Sequence, residues 1–222
     1  MAQTTQRIAP ESGSDAPNPG DEVPASPPVV PAVPVEPVVP VVPVLLDDFE
    51  DGDEDPSDAR FSTWAPSSSG SPQPTVDSSV EGPGFNSNFS AHLSWNLPGP
   101  ADASTSDPGV ALETLVAGTP LDLSAYTRVV LGHRYEPVGQ CTPAEQLRIL
   151  FGCAQATCML SIPVSSTWVP VTLSFTDFSC PEGLSPATCL AVTNRVALGP
   201  LLELQNGECS SGFLHLDSIS FR

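Results

Sequence analysis

Eight acids and no base stand in "DDFEDGDEDPSD", Asp47 to Asp58. Two behaviours suit such a run. One is a solvated, self-repelling loop. The other is a divalent-cation site, because Ca2+ takes clustered carboxylate and carbonyl oxygens. An EF-hand is excluded: Asp51, Asp53 and Asp55 have its opening spacing, but Pro56 stands where the turn glycine belongs and Ser62 where the bidentate glutamate belongs. The six cysteines, Cys141, Cys153, Cys158, Cys180, Cys189 and Cys209, all lie in the second half, with no C-x-x-C among them. Only His92, His133 and His215 could complete a zinc site, and their spacing supports none. An even set in such a region reads as disulfides, hence an oxidising compartment. Local spacing suggests Cys153–Cys158 as a hairpin clasp and Cys180–Cys189 as a loop clasp, which leaves Cys141 with Cys209.

Catalytic sets are missing. The chain has no G-x-S-x-G elbow, no H-E-x-x-H, no glycine-rich phosphate loop and no lone reactive cysteine. Acids outside the Asp47–Asp58 run are sparse, so a non-enzyme is expected. The formal net charge is −19 and there is no lysine. Phosphate backbones and anionic membrane surfaces need clustered Arg or Lys, so neither nucleic acid nor membrane is an expected partner.

The elements that must position these residues fall into three stretches. Residues 1–22 are polar and small and read as disordered. In residues 23–44, "PPVVPAVPVEPVVPVVPV" places a proline at every third position from Pro28 to Pro43. Polyproline II has three residues per turn and rises about 3.1 Å per residue, so Pro28 to Val44 forms a semi-rigid spacer of roughly 50 Å. Residues 45–222 hold the folded domain. There "AHLSWNL" sets Ala91, Leu93, Trp95 and Leu97 against His92, Ser94 and Asn96, and "QLRILFG" sets Leu147, Ile149 and Phe151 on one side. "WVPVTLSF" turns Val169, Val171, Leu173 and Phe175 inward and Trp168 the other way. "GFLHLDSISF" puts Phe213, His215, Asp217, Ile219 and Phe221 in one phase. Turn signals separate these runs, and no stretch has a sustained helical period. The pattern is an all-β, antiparallel β-sandwich.

The pieces "LLDDFEDGD", "PLDLSAYTRVVLGHR", "TWVPVTLSFTDF" and "FLHLDSISF", in that order, resemble the galactose-binding-domain-like jelly roll of many bacterial carbohydrate-binding modules. The resemblance covers nearly all of residues 45–222. It implies a non-catalytic jelly-roll domain that binds a polysaccharide or surface glycan, across one sheet or in the loops at one end. It also implies a structural Ca2+ joining the first strand to the last, with Glu50 and Asp217 as matching acids and Asp48 or Asp53 as a further oxygen. The alternative for Asp217 is a carboxylate bonded to backbone amides or to Arg60.

Sugar binding uses an aromatic ring on the apolar sugar face and polar groups on the hydroxyls. In "RVVLGHRYEP", Val129, Leu131 and His133 share the core phase, which turns Val130, Gly132 and Arg134 outward. Related modules often carry a bulky aromatic at the position of Gly132. Candidate ligand residues are therefore Arg134, Tyr135 turned toward the loops, His92, Asn96, and Trp64 as the most exposed tryptophan. The alternative to a sugar-binding module is a structural or adhesive surface protein with the same fold and no sugar site. Either is extracellular or on the cell surface. Met1 to Gly20 shows no charged start followed by an apolar h-region: either the signal has been removed, or the start is misplaced, or export is unconventional. An anchor or another module is expected before the spacer.

Overall fold

The computed structural model describes residues 41–70, 73–98, 109–154, 156–202 and 208–222. The polar segment 1–22 and the spacer up to residue 40 lie outside the described residues. Among the described residues, eleven strands run in chain order: β1 (Val44–Asp47), β2 (Ala65–Ser69), β3 (Thr75–Glu81), β4 (Ser90–Leu97), β5 (Gly109–Leu115), β6 (Arg128–Pro137), β7 (Gln146–Cys153), β8 (Ala156–Pro163), β9 (Val169–Ser174), β10 (Thr193–Leu201) and β11 (Ser210–Phe221). A 3-10 turn (Phe175–Asp177) and a short helix α1 (Pro186–Leu190) lie between β9 and β10.

Every strand pairing is antiparallel. One sheet has the order β3-β4-β11-β6-β9, with β1 also on β11, and the other the order β2-β5-β10-β7-β8. This is an antiparallel β-sandwich of jelly-roll type. Val44, which the proline pattern assigns to the spacer, already pairs with Phe221.

The core forms where alternation puts apolar side chains on facing sides of the two sheets. Leu93, Trp95 and Leu97 of β4, Val129 and Leu131 of β6, and Leu214 and Leu216 of β11 are buried on one side. Leu147, Ile149 and Phe151 of β7, with Val196 and Leu198 of β10, are buried on the other. Burying each such side chain contributes about 1.5–3 kcal/mol.

Strand β11 departs from its expected single phase. Its register shifts between Asp217 and Ser220, and Ser218 has φ 53°. This bulge inserts a residue and switches which face the following side chains take. Leu214 and Leu216 are therefore core before it, and Ile219 and Phe221 after it. Phe213, His215 and Asp217 stand on the opposite face.

Three disulfides join all six cysteines: Cys141–Cys209, Cys153–Cys189 and Cys158–Cys180. The two local clasps suggested by spacing are corrected. The β7–β8 hairpin sets Cys153 opposite Ala156 and Cys158 opposite Phe151. Cys189, on α1, bonds to Cys153, and Cys180, on the preceding loop, bonds to Cys158. Among the described residues, no helix is long and apolar enough to cross a membrane.

Candidate functional site

The outer face of the six-stranded sheet gathers the polar phase of four strands. Ser79 of β3 pairs in register with His92 of β4, His92 with His215 of β11, and His215 with Arg134 of β6. Rings then continue across the face. Phe213 lies 4.8 Å from His92, His92 stacks on His215 at 4.6 Å, and His215 lies 6.1 Å from Trp168. Trp168 in turn stands 6.2 Å from Phe85, a residue of the loop between β3 and β4. The Arg134 guanidinium sits 5.7 Å over the Trp168 ring, a cation–π arrangement. One Arg134 nitrogen is 3.2 Å from His215 Nε2 and 2.6 Å from Glu136 Oε1. At the Phe213 end the band opens into a groove of about 390 Å3 whose lining includes Thr75, Asp77, Ser94 and Asn96.

Burial, with His92 and Arg134 nearby, pushes the His215 pKa down to about 4. It is thus a neutral ring at neutral pH. Glu81 lies below the usual carboxylate range, held there by the Ser79 hydroxyl and by His92. Together the face carries half-buried rings, with His215 buried between them, edged by neutral and charged hydrogen-bonding groups.

Gly132 explains how Phe85 joins the band. A Cβ at Gly132 would stand 3.0 Å from Phe85 Cβ and 3.2 Å from its Cγ. The loop thus lays the Phe85 ring against the strand where β6 has no side chain. Two carboxylates hold that loop. Asp217 Oδ2 accepts from the Phe85 N–H at 2.6 Å and from the Ser87 hydroxyl. Glu50 accepts from the Asn88 N–H at 2.8 Å, the Phe89 N–H at 3.2 Å and the Asn88 side-chain amide at 2.8 Å. Gly84 permits the approach, since a Cβ there would lie 2.6 Å from Asp217 Oδ2. Asp217 is fully buried, and burial raises its pKa against the lowering effect of these donors.

The candidate cation ligands divide accordingly. Asp48, Glu50, Asn86, Ser87, Asn88 and Ser218 line one open hollow, with Asp217 bound to the same loop from behind. These donors are all oxygen-bearing, the ligand type of Ca2+. Asp53 is exposed, does not line the hollow, and accepts from the Asp55 N–H at 2.8 Å. Arg60 pairs with Asp58 rather than Asp217. Among the described residues, one trio of His, Cys, Asp or Glu has its ligand atoms within 4.8 Å of one another: Cys153, Cys158 and Cys189, whose sulfurs are bonded in disulfides.

Two expected ligand residues are corrected. Tyr135 is buried, stacks on Trp95 at 5.8 Å, and its hydroxyl accepts from the Ala144 N–H at 3.0 Å. It continues the core phase of Val129, Leu131 and His133. Trp64 is 1% exposed, because its indole N–H donates to the buried Asp47 carboxylate at 2.7 Å and its ring packs on Phe49. His133 also faces the core, on the other side of the sheet from His92 and His215, so the three histidines do not converge. His92, Asn96 and Arg134 lie on the outer face. Sequence reasoning missed Phe213, His215, Trp168 and Phe85 as ligand candidates. The outward phase of Trp168 was a usable signal; Phe85, in a loop, offered none.

No protein-family model and no curated protein matches the chain. Among solved structures it is similar to the family 11 carbohydrate-binding module of the cellulosomal cellulase Lic26A-Cel5E of Clostridium thermocellum, at 15% identity and a TM-score of 0.52, over 82% of this chain and 95% of that one. It is also similar to the family 11 module from Clostridium thermocellum in complex with a beta-1,3-1,4-mixed-linked tetrasaccharide. That match has 14% identity and a TM-score of 0.53, over 82% of this chain and 96% of that one. The chain has the β-sandwich fold of carbohydrate-binding modules. At these identities the likeness is one of fold.

Proposed function

We propose that this chain is a non-catalytic, carbohydrate-binding-module-like domain that binds a neutral polysaccharide across the outer face of its six-stranded sheet. The observation that carries the reading is the continuous band Phe213–His92–His215–Trp168–Phe85. Rings of this kind stack on the apolar faces of sugars. Arg134, Glu136, Asn96 and Ser94 border the band and supply donors and acceptors for hydroxyls. A glycosidase would need two carboxyl groups set across a scissile bond. On this face the carboxylates are engaged within the sheet: Glu81 with the Ser79 hydroxyl, Glu136 with Arg134 and Asp77 with the Ser78 N–H.

A Ca2+ ion suits the hollow beside the band by donor type. Asp48 and Glu50 would hold it, with oxygens from the 85–88 loop and Ser218, and Asp217 would anchor the same loop. Its contribution would be structural, joining the end of β1 to the loop that carries Phe85. Because Glu50 and Asp217 already accept from N–H and O–H donors, the cation would replace some of those bonds. Display outside the cell on the proline-rich spacer, attached to an anchor or another module, completes the reading.

The rival is a structural or adhesive surface protein. One observation favours it: Phe85 lies against Gly132 and covers part of the face. Calorimetry with mixed-linkage β-glucan and other neutral polysaccharides separates the two. The binding reading expects saturable binding to one class and at least a tenfold loss in Trp168→Ala, about 1.4 kcal/mol. A folded protein that binds none of them overturns it. Melting with Ca2+ and with EDTA tests the metal: a shift that Glu50→Gln removes supports the site, and superimposable curves refute it.

A further inference from the structure

Two of the disulfides lie side by side. The Sγ atoms of Cys153, Cys158 and Cys189 lie within 4.8 Å of one another, although Cys158 is bonded to Cys180 and Cys153 to Cys189. The β7–β8 hairpin causes this, because its register places Cys153 and Cys158 as diagonal neighbours on the core side. Cys153, Cys158 and Cys189 are buried, whereas Cys180 is half-buried in the loop before α1. Cys141 and Cys209 are half-buried too, but of these four cysteines Cys180 is the one a thiol arriving from solvent meets first.

We propose that these four cysteines form a thiol-exchange relay, entered at Cys180, that isomerises the domain between two disulfide sets. A low-molecular-weight thiolate attacks Cys180 Sγ, forming a mixed disulfide and expelling the Cys158 thiolate. Cys158 attacks Cys153 Sγ, forming Cys153–Cys158 and expelling the Cys189 thiolate. Cys189 then attacks the mixed disulfide at Cys180, forming Cys180–Cys189 and returning the original thiolate. No net oxidation or reduction occurs, and the external thiol is a catalyst. Each step is ordinary exchange of a thiolate with a disulfide sulfur.

The two sets differ in what they hold. In the observed set, the loop and α1 are bonded to the hairpin at two points. In the other set the hairpin is clasped on itself and the loop on itself, with no covalent link between them. Helix α1 contributes Pro186, Ala187 and Leu190 to an apolar hollow with Tyr126 and Phe175. The exchange thus releases the covalent hold on one wall of that hollow, while Cys141–Cys209 stays in place.

The test incubates the full chain with substoichiometric reduced glutathione at a pH near the ordinary thiol pKa of about 8.5. Acid quenching and peptic mass mapping without reduction then give the connectivity. The expected result is the appearance of Cys153–Cys158 and Cys180–Cys189 peptides, with Cys141–Cys209 intact and no rise in free thiol. The proposal is overturned by unchanged connectivity, by glutathione on Cys180 with Cys153–Cys189 intact, or by scrambling that includes Cys141 and Cys209. A thiol-free check uses Cys180→Ser, which leaves Cys158 as the attacking thiol. Alkylation is expected to distribute between Cys158 and Cys189, and a label confined to Cys158 refutes the relay.

Discussion

Replacing Asp47 by asparagine should change how stability depends on pH, by an amount the structure allows to be worked out. Asp47 is fully buried at the end of β1. Its Oδ1 accepts from the Phe49 N–H at 2.9 Å and its Oδ2 from the Trp64 indole N–H at 2.7 Å. Burial raises its pKa from 3.8 to about 6, with the nearby acids adding and the two donors opposing. A carboxyl whose folded pKa is raised keeps a proton that the unfolded chain releases. The stability it contributes is therefore full below 3.8 and is lost as pH rises toward about 6. At 1.36 kcal/mol per unit the loss is roughly 3 kcal/mol.

Asp47→Asn removes this proton and keeps the volume, but leaves one of the two donors facing an amide NH2. That mismatch costs about 1–3 kcal/mol and does not vary with pH. The variant should therefore look worst near pH 4 and improve by roughly 3 kcal/mol relative to wild type by pH 7.5. Urea unfolding with the disulfides intact, followed by tryptophan fluorescence at several pH values, measures it. Other titrating groups largely cancel in the difference between the two proteins. A difference that stays constant from pH 4 to 7.5 would refute the argument that burial governs this carboxyl.

His215 should act in the opposite direction. Its depressed pKa of about 4 means that stability is lost as pH falls from 6.5 toward 4, by up to roughly 3 kcal/mol. His215→Phe keeps a ring and should flatten that acid limb in melts between pH 4 and 7. Gly84→Ala would set a Cβ 2.0 Å from the Phe89 backbone oxygen and from Ser87 Oγ, so it should distort the loop, release it from Asp217 and cost at least about 1–3 kcal/mol for the released donors. Hydrogen exchange should quicken at the Phe85 amide while amides in the β7–β10 pairing stay protected. Removing the Cys141–Cys209 bridge, at a sequence separation of 68, should lower stability by about 4 kcal/mol on the loop-entropy account, read by denaturant unfolding of the double alanine variant.

Strands with one buried face were legible because alternation reports burial directly: β4 and β7 bury the residues their sequences indicate. Strand β10 was harder to see. Between Val196 and Leu198 lies Ala197, which is fully buried, and Gly199 follows, so the sequence shows no polar alternate. Trp64 looked exposed because it precedes a serine- and proline-rich stretch. What buries it is a hydrogen bond to Asp47, seventeen positions away, and no local pattern encodes that pairing. Tyr135 differs, since it lies in the core phase of its own strand. The disulfides were misread for a related reason: short separation favours a clasp only when nothing else approaches, and here α1 brings Cys189 to β7.

The bulge at Ser218 connects the proposed cation hollow to the proposed sugar face. Without it, Asp217 would share a face with Ile219 and Phe221 and be directed into the core, where a carboxylate is costly unless it is bonded. The extra residue lets Ile219 and Phe221 pack inward while Asp217 keeps the outward phase of Phe213 and His215. From there its carboxylate holds the Phe85 N–H and the Ser87 hydroxyl, and Phe85 comes to rest over Gly132 beside Trp168. Deleting Ser218 should therefore do more than trim a strand edge. It would reverse either Asp217 or the Ile219–Phe221 pair, and the ring band and the loop clamp would fail together rather than one at a time.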